Sequence, residues 1–221
     1  MTTTKTLERR YWTQPVEWRA GSDATGDVIG GYAAVFNKLS QNLGGFVEQI
    51  DPGAFTRFLA GSDIDVVCLF NHKDSLVLGR SGVNLELVAD DVGLDYRCAT
   101  FADDPTAVST AAKVRHGLVQ HSSFGFYCDE DAWSTTEQGF TLRTVLHARL
   151  VDVSPVTRPA YLDSTTGLRS LAESRGLDLA AVLAAAERNV LREFLDEEQI
   201  EVEPPAQLDV PASFFDFPRA M

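Results

Sequence analysis

Seven short runs rich in β-branched and aromatic residues, each bounded by turn-forming residues, constrain this chain more than any other feature. They cover residues 28–36, 46–50, 65–70, 83–88, 94–101, 122–128 and 140–153. Runs of this kind fit a pleated, half-buried surface. Their spacing predicts a mainly β fold with flanking helices, an α+β chain built on an antiparallel barrel or sandwich. With 221 residues, 44% of them hydrophobic, the chain can enclose one sizeable core and is too short for several.

Helical signals interrupt the strands. Asp51, Pro52 and Gly53 open a short helix in which Phe55, Phe58 and Leu59 share a face before Gly61 closes it. Asp104 followed by Pro105 has the character of an N-cap and a first-turn residue, and Gly117 is a stop. Between them Val108, Ala111, Ala112, Arg115 and Leu118 form a mostly apolar stripe that runs straight into the segment carrying Ser123. Further on, Leu179, Leu183, Ala186, Val190 and Phe194 repeat at spacings of four, three, four and four, which predicts one amphipathic helix. These signals divide the chain into an N-terminal arm over 1–25, a β domain over 26–170, the amphipathic helix over 171–200 and an acidic, proline-rich tail over 201–221. The tail carries Phe214, Phe215 and Phe217 and has no core of its own.

The formal net charge of −13 argues against nucleic acid as a partner, because phosphate backbones are bound by basic patches that release counterions. No run approaches the roughly 20 apolar residues of a membrane span, and the N-terminus lacks the apolar centre of a signal peptide. A cytoplasmic protein that neither binds nor crosses a membrane is expected. Cys68, Cys98 and Cys128 stand apart in apolar runs, as buried free thiols do in a reducing compartment; a catalytic cysteine is the other option.

No nucleophile elbow, phosphate loop, zinc-protease helix or dinucleotide fingerprint is present. What remains is polar residues at strand ends. His72 leaves the run Val66-Val67-Cys68-Leu69-Phe70, a rigid mounting for an imidazole that could accept a serine proton at neutral pH and return it to a leaving amine. Taken alone, such a histidine serves structure more often than chemistry. Ser123 lies in Ser122-Ser123-Phe124-Gly125-Phe126, where alternation turns it away from both phenylalanines, and Gly125 would let another backbone come close. Taken alone, a strand serine is more often a matter of packing or edge solvation.

Asp152 sits among valines in a strand-like run and needs a partner if buried: either the imidazole, whose tautomer it would fix, or a salt bridge to Arg143, Arg149 or Arg158. His147 competes for that third position, and His116 and His121 are assigned to structure. No histidine pair has the short ligand spacing of a zinc site, so neither a metal nor a cofactor is expected.

In order, Gly31-Tyr32-Ala33-Ala34-Val35-Phe36, Glu48-Gln49-Ile50-Asp51-Pro52-Gly53-Ala54-Phe55, Leu69-Phe70-Asn71-His72 with Leu78-Gly79-Arg80, Ser123-Phe124-Gly125-Phe126 and the block from Val151 to Tyr161 resemble the successive motifs of the tailed-bacteriophage prohead proteases. The resemblance covers roughly residues 25–165. It implies a serine endopeptidase with a β-barrel of herpesvirus-assemblin type ringed by helices. The implied nucleophile is Ser123 and the implied histidine His72. The third member falls on Asp152, where the family pattern commonly has glutamate, and Ser122 stands where a larger apolar residue is usual. Arginines near the closing block, Arg143, Arg149 and Arg158, are the implied oxyanion candidates. The implied partners are the major capsid protein and its scaffolding segment or delta domain, which such enzymes cleave, often with themselves, inside the procapsid in the host bacterial cytoplasm; the C-terminal helix offers a homodimer interface. The rival reading is a non-enzymatic assembly or scaffolding protein that keeps the fold.

Overall fold

The protein is described by a computed structural model covering residues 5–21, 26–158 and 165–195. Ten strands form two sheets. The first contains β1 (Glu8–Pro15), β4 (Val47–Ile50), β5 (Val67–Leu69), β6 (Val77–Arg80), β9 (His121–Thr135) and β10 (Thr141–Val156), in the order β1-β9-β10-β5-β6 with β4 also on β10. The second has the order β2-β3-β8-β7, from β2 (Glu17–Arg19), β3 (Val28–Val35), β7 (Leu85–Ala89) and β8 (Gly93–Ala99).

The sheets pack face to face. Ile29, Leu94, Tyr96 and Cys98 from one meet Cys68, Phe124, Phe126, Leu150 and Val153 from the other, all fully or nearly fully buried. Helix α1 (Thr56–Leu59) follows Ala54 and Phe55, which enter this core, and Phe55 sits edge-on to Phe124 at 5.8 Å. Helix α2 (Pro105–Arg115) adds Ala107, Ala111 and Val114. Its start is as the sequence predicts: Asp104 Oδ1 accepts from Thr106 N at 2.8 Å, and Gly117 ends the segment at φ +69°.

Three expectations are corrected. The antiparallel barrel is instead a pair of sheets, not closed, and the first is mixed. β10, sixteen residues long, pairs antiparallel with β9 but parallel with β4 at Leu142–Val145 and with β5 at Asp152 and Val153. One long strand can seat two short ones in sequence along its free edge, which a local pattern does not reveal. The expected helix over 171–200 is divided into α3 (Thr165–Arg175), α4 (Leu179–Glu187) and a 3₁₀ turn at Leu191–Phe194. Gly176 at φ +61° ends the first, Asp178 caps the second by accepting from Ala181 N, and Asn189 at φ 55° turns out of it. The expected stripe is only in part the buried face: of Leu179, Leu183, Ala186, Val190 and Phe194 only Ala186 is buried and the others are half-buried, while α3 and α4 bury Leu168, Leu171, Val182 and Ala185 against Leu43, Phe46 and Trp133 in a second core. The arm over 1–25 contributes two strands, β1 and β2, one to each sheet. The tail over 201–221 lies outside the described residues.

β1 is held by charge. Arg10 Nε and Nη2 donate to both oxygens of Glu48 at 2.7 and 3.0 Å, and Nη2 also donates to Glu8 at 2.7 Å. Arg143, with no exposed surface, donates to Glu8, to Glu48 and, through Nε, to Asp131, which also accepts from Ser170 of α3. Buried charges tolerate the loss of water only when every member is paired. Burial alone would raise the Glu48 carboxyl, but the Arg10 and Arg143 guanidiniums overcome it and hold it below its ordinary value of 4.5.

A carboxyl depressed by folding stabilises the fold above the unfolded value, and that contribution is lost as pH falls through the folded value. Glu48→Gln is therefore expected to lower the unfolding free energy at pH 7 by about 3–5 kcal/mol, the usual loss when one partner of a buried ion pair is removed. It should also weaken the acid dependence of stability below about pH 4.5. Urea unfolding at pH 7 and at pH 4 measures both.

Candidate active site

β5 leads through Phe70 into a turn whose two central residues, Asn71 and His72, have φ 55° and 54°. The left-handed region is unfavourable for side chains with a Cβ, least so for asparagine. The turn is fastened to the end of β10: Asn71 N donates to Pro155 O at 3.1 Å, and Asn71 Oδ1 accepts from Thr157 N at 2.9 Å and from its hydroxyl at 3.2 Å. This holds the His72 ring over the β9–β10 pair, with only 7% of its side chain exposed.

On those strands Ser123 lies opposite Ser154, and Gly125 opposite Asp152. A bulge between Leu150 and Asp152 resets the phase of β10, so that Leu150 and Val153 both enter the core while Asp152 and Ser154 face the imidazole. His72 Nε2 is 2.6 Å from Ser123 Oγ, and His72 Nδ1 is 2.5 Å from Asp152 Oδ1. The three expected residues are thus brought together in a line of hydrogen bonds. Such a line can pass a serine proton to the imidazole while the carboxylate stabilises the cation formed.

The other candidates are elsewhere. Ser122 points to the opposite face, where its hydroxyl meets the Tyr96 phenol at 3.2 Å in the core. His147 is 3.7 Å from Glu130 and half-exposed, His121 opens β9, and His116 caps the C-terminal end of α2. Arg143 is committed to the ion cluster and Arg149 to Asp129 at 3.0 Å, while Arg158 is exposed. Cys68 and Cys98 are core thiols; a hydrogen bond with Cys98, and then burial, push the Cys68 thiol well above its usual range. Burial pushes the half-buried Cys128 up to about 12, so none of the residues with a raised thiol favours the reactive thiolate. Among the described residues no three His, Cys, Asp or Glu side chains converge on a common point that could hold a metal ion.

Three features escaped the sequence reading. Gly125 makes room for a carboxylate and not for another backbone, since a Cβ there would fall far inside contact distance of Asp152 Oδ2. Ser154 Oγ donates to Asp152 Oδ1 at 2.7 Å; its period-2 spacing from Asp152 was the available signal. Finally, Ser123 is fully buried, and its Oγ is also 2.8 Å from the Arg10 carbonyl of β1.

Residues 14–175 match the profile of the family described as caudovirus prohead serine protease. The prohead protease of Enterobacteria phage HK97 is 29% identical over 159 residues, an alignment covering 70% of this chain. The chain spans 66% of that relative's length, just under two thirds. The bacteriophage T4 capsid assembly protease superposes with a TM-score of 0.49 at 13% identity, covering 68% of this chain and 97% of the other.

Gly125→Ala is expected to destabilise the protein by about 1–3 kcal/mol, the usual effect of an extra methyl in a filled space. In an Asp152→Ala background, where the carboxylate it would strike is gone, the same change should cost much less. A cycle of four urea-unfolding curves measures this coupling.

Proposed function

The chain belongs to the caudovirus prohead serine proteases, and from that premise we propose that it is a capsid-maturation serine endopeptidase with Ser123 as nucleophile, His72 as general base and Asp152 as its orienting carboxylate. The observation that carries this reading is the line of hydrogen bonds from Ser123 Oγ through both His72 nitrogens to Asp152 Oδ1. In the acylation step the Ser123 proton passes to His72 Nε2 as Oγ bonds to the scissile carbonyl carbon. The imidazolium, paired with Asp152, then gives that proton to the leaving amine as the C–N bond breaks, leaving an acyl-enzyme. Water repeats the sequence, its proton going to His72 and then to Ser123 as the acid product departs.

A serine hydroxyl has one proton to donate. While it is given to the Arg10 carbonyl it is not available to His72, and the burial of Ser123 leaves no room for a substrate backbone. Turnover on this reading requires β1 to yield at Arg10, so that an extended substrate can reach Oγ. The substrate follows from the family: the scaffolding segment or delta domain of the major capsid protein, within the procapsid, and segments of the enzyme itself.

The same burial favours the alternative reading, a scaffolding protein that retains a protease fold without turnover. Covalent labelling separates the two. A fluorophosphonate is expected to form an adduct on Ser123, and Ser123→Ala, co-expressed with the capsid protein, should trim it at least about 10⁴-fold more slowly, as nucleophile removal does in other serine proteases. Mass spectrometry of both reactions reads the result. Trimming at the wild-type rate by Ser123→Ala would overturn the assignment, and absence of any adduct would favour the scaffold.

A further inference from the structure

We propose that Ser154 is a positioning residue, fixing the rotation of the Asp152 carboxylate and supporting the His72 tautomer that this carboxylate sets. The inference rests on the assignment of Ser123, His72 and Asp152 given above, and deepens it. Ser154 has no exposed surface and stands directly across the strand pair from Ser123, two residues beyond Asp152 on the same face. Its hydroxyl touches two members of the line at once: Oγ is 2.7 Å from Asp152 Oδ1 and 3.2 Å from His72 Nδ1.

Donor counting gives these contacts their meaning. A hydroxyl carries one proton and two acceptor lone pairs. The Ser154 proton is given to the carboxylate, which cannot donate when ionised. Toward His72 the same oxygen can only accept, so the imidazole proton must lie on Nδ1, shared between Asp152 Oδ1 and Ser154 Oγ. In the neutral ring this leaves the lone pair on Nε2, the tautomer a general base requires, ready to take the Ser123 proton once β1 yields and Oγ no longer gives it to the Arg10 carbonyl.

The second effect is on the carboxylate. The terminal torsion of an aspartate is broad, and a carboxylate bonded to an imidazole alone could turn. Here Oδ1 receives two donors, while Oδ2 occupies the space that the missing side chain of Gly125 leaves open. Asp152 is thus held at both oxygens, one by a bond and one by shape. Without the Ser154 hydroxyl, Oδ1 keeps a single protein donor, the His72 ring.

The test measures the second-order rate at which a fluorophosphonate labels Ser123 in the full chain, with melting curves to verify folding. Ser154→Ala is expected to label about 10²-fold more slowly, the scale of a small misplacement of a catalytic group. Ser154→Thr, which keeps the hydroxyl, should stay within about fivefold of the wild type. In an Asp152→Ala background Ser154→Ala should change the rate less than about twofold, because there is no carboxylate left to position. A purely structural role would slow both backgrounds alike.

A wild-type rate in Ser154→Ala overturns the proposal, as does equal slowing by alanine and threonine or equal slowing in both backgrounds. If Ser154→Ala melts below the assay temperature, Ser154→Cys takes its place, with at least about tenfold slowing expected from its weaker donor and a wild-type rate again overturning it. Labelling that survives Ser123→Ala undoes the underlying assignment instead, and labelling lost in Ser123→Ala but indifferent to Ser154 undoes only the positioning role.

Discussion

The pairing register of β9 and β10 is the constraint from which the rest of the site follows. Because side chains alternate across a strand, one residue of slip would turn every member of the site to the wrong face. Phe124 and Phe126 bind β9 to the core, leaving Ser123 and Gly125 on the other side. β10 must satisfy the same core with Leu150 and Val153, which have opposite parity, and the bulge between Leu150 and Asp152 reconciles them. That one extra residue faces Asp152 toward Gly125 and Ser154 toward Ser123. The hydrophobic core and the polar site are therefore two consequences of a single register.

The second constraint is the ion cluster of Glu8, Arg10, Glu48, Asp131 and Arg143. An apolar edge strand in the place of β1 would stay in position by burial alone, but β1 is held by guanidinium–carboxylate bonds to β4 and β10. Such pairs contribute little net stability compared with apolar packing, yet they are costly to break singly and demanding in geometry. The strand that meets Ser123 through the Arg10 carbonyl is consequently fixed in register by its side chains, while its backbone lies along the sheet edge, next to Ser123. Access to Ser123 and retention of the ion cluster are linked through one residue.

Much of this was legible in the sequence where local pattern and tertiary environment agree. The runs at 28–36, 94–101 and 122–128 appear as β3, β8 and β9 because their apolar alternation matches the two packed sheets. Asp104, Pro105 and Gly117 bound α2 because capping is local chemistry. β1 was not recognised as a strand because Glu8, Arg9 and Arg10 violate the apolar pattern, and the partners that make two of those charges tolerable are 38 and 135 residues away. The parallel docking of β4 and β5 on β10 is equally non-local. In the C-terminal part the apparent 3.6-residue period from Leu179 to Phe194 runs across a helix end, because Val190 and Phe194 lie beyond α4 and its buried face is Val182, Ala185 and Ala186; Gly176, Asp178 and Asn189 are the local boundary signals that divide this part of the chain. Residue types alone left His72, Ser123 and Asp152 open, and it was the order of the motifs around them, through the family resemblance, that singled them out. Gly125 and Ser154 could not be given their roles without the register, since each acts through a residue on the facing or the same strand.

The mounting of His72 brings these threads to one segment. Two consecutive left-handed residues, Asn71 and His72, represent strain of about 1–3 kcal/mol each in general terms, somewhat less for asparagine. Nothing in β5 itself compensates it; the compensating bonds come from Pro155 and Thr157 at the end of β10. Asp152 and Ser154 precede them by a few residues on the same strand. Residues 152–157 thus hold the His72 turn by its backbone, orient its ring and face Ser123 across the sheet. A strained turn gripped at both its backbone and its side chain has little freedom to relax. The parallel pairing of β5 with Asp152 and Val153, which the sequence did not predict, is what brings His72 to that grip, so the mixed sheet is a requirement of the site and not an incidental feature of the fold.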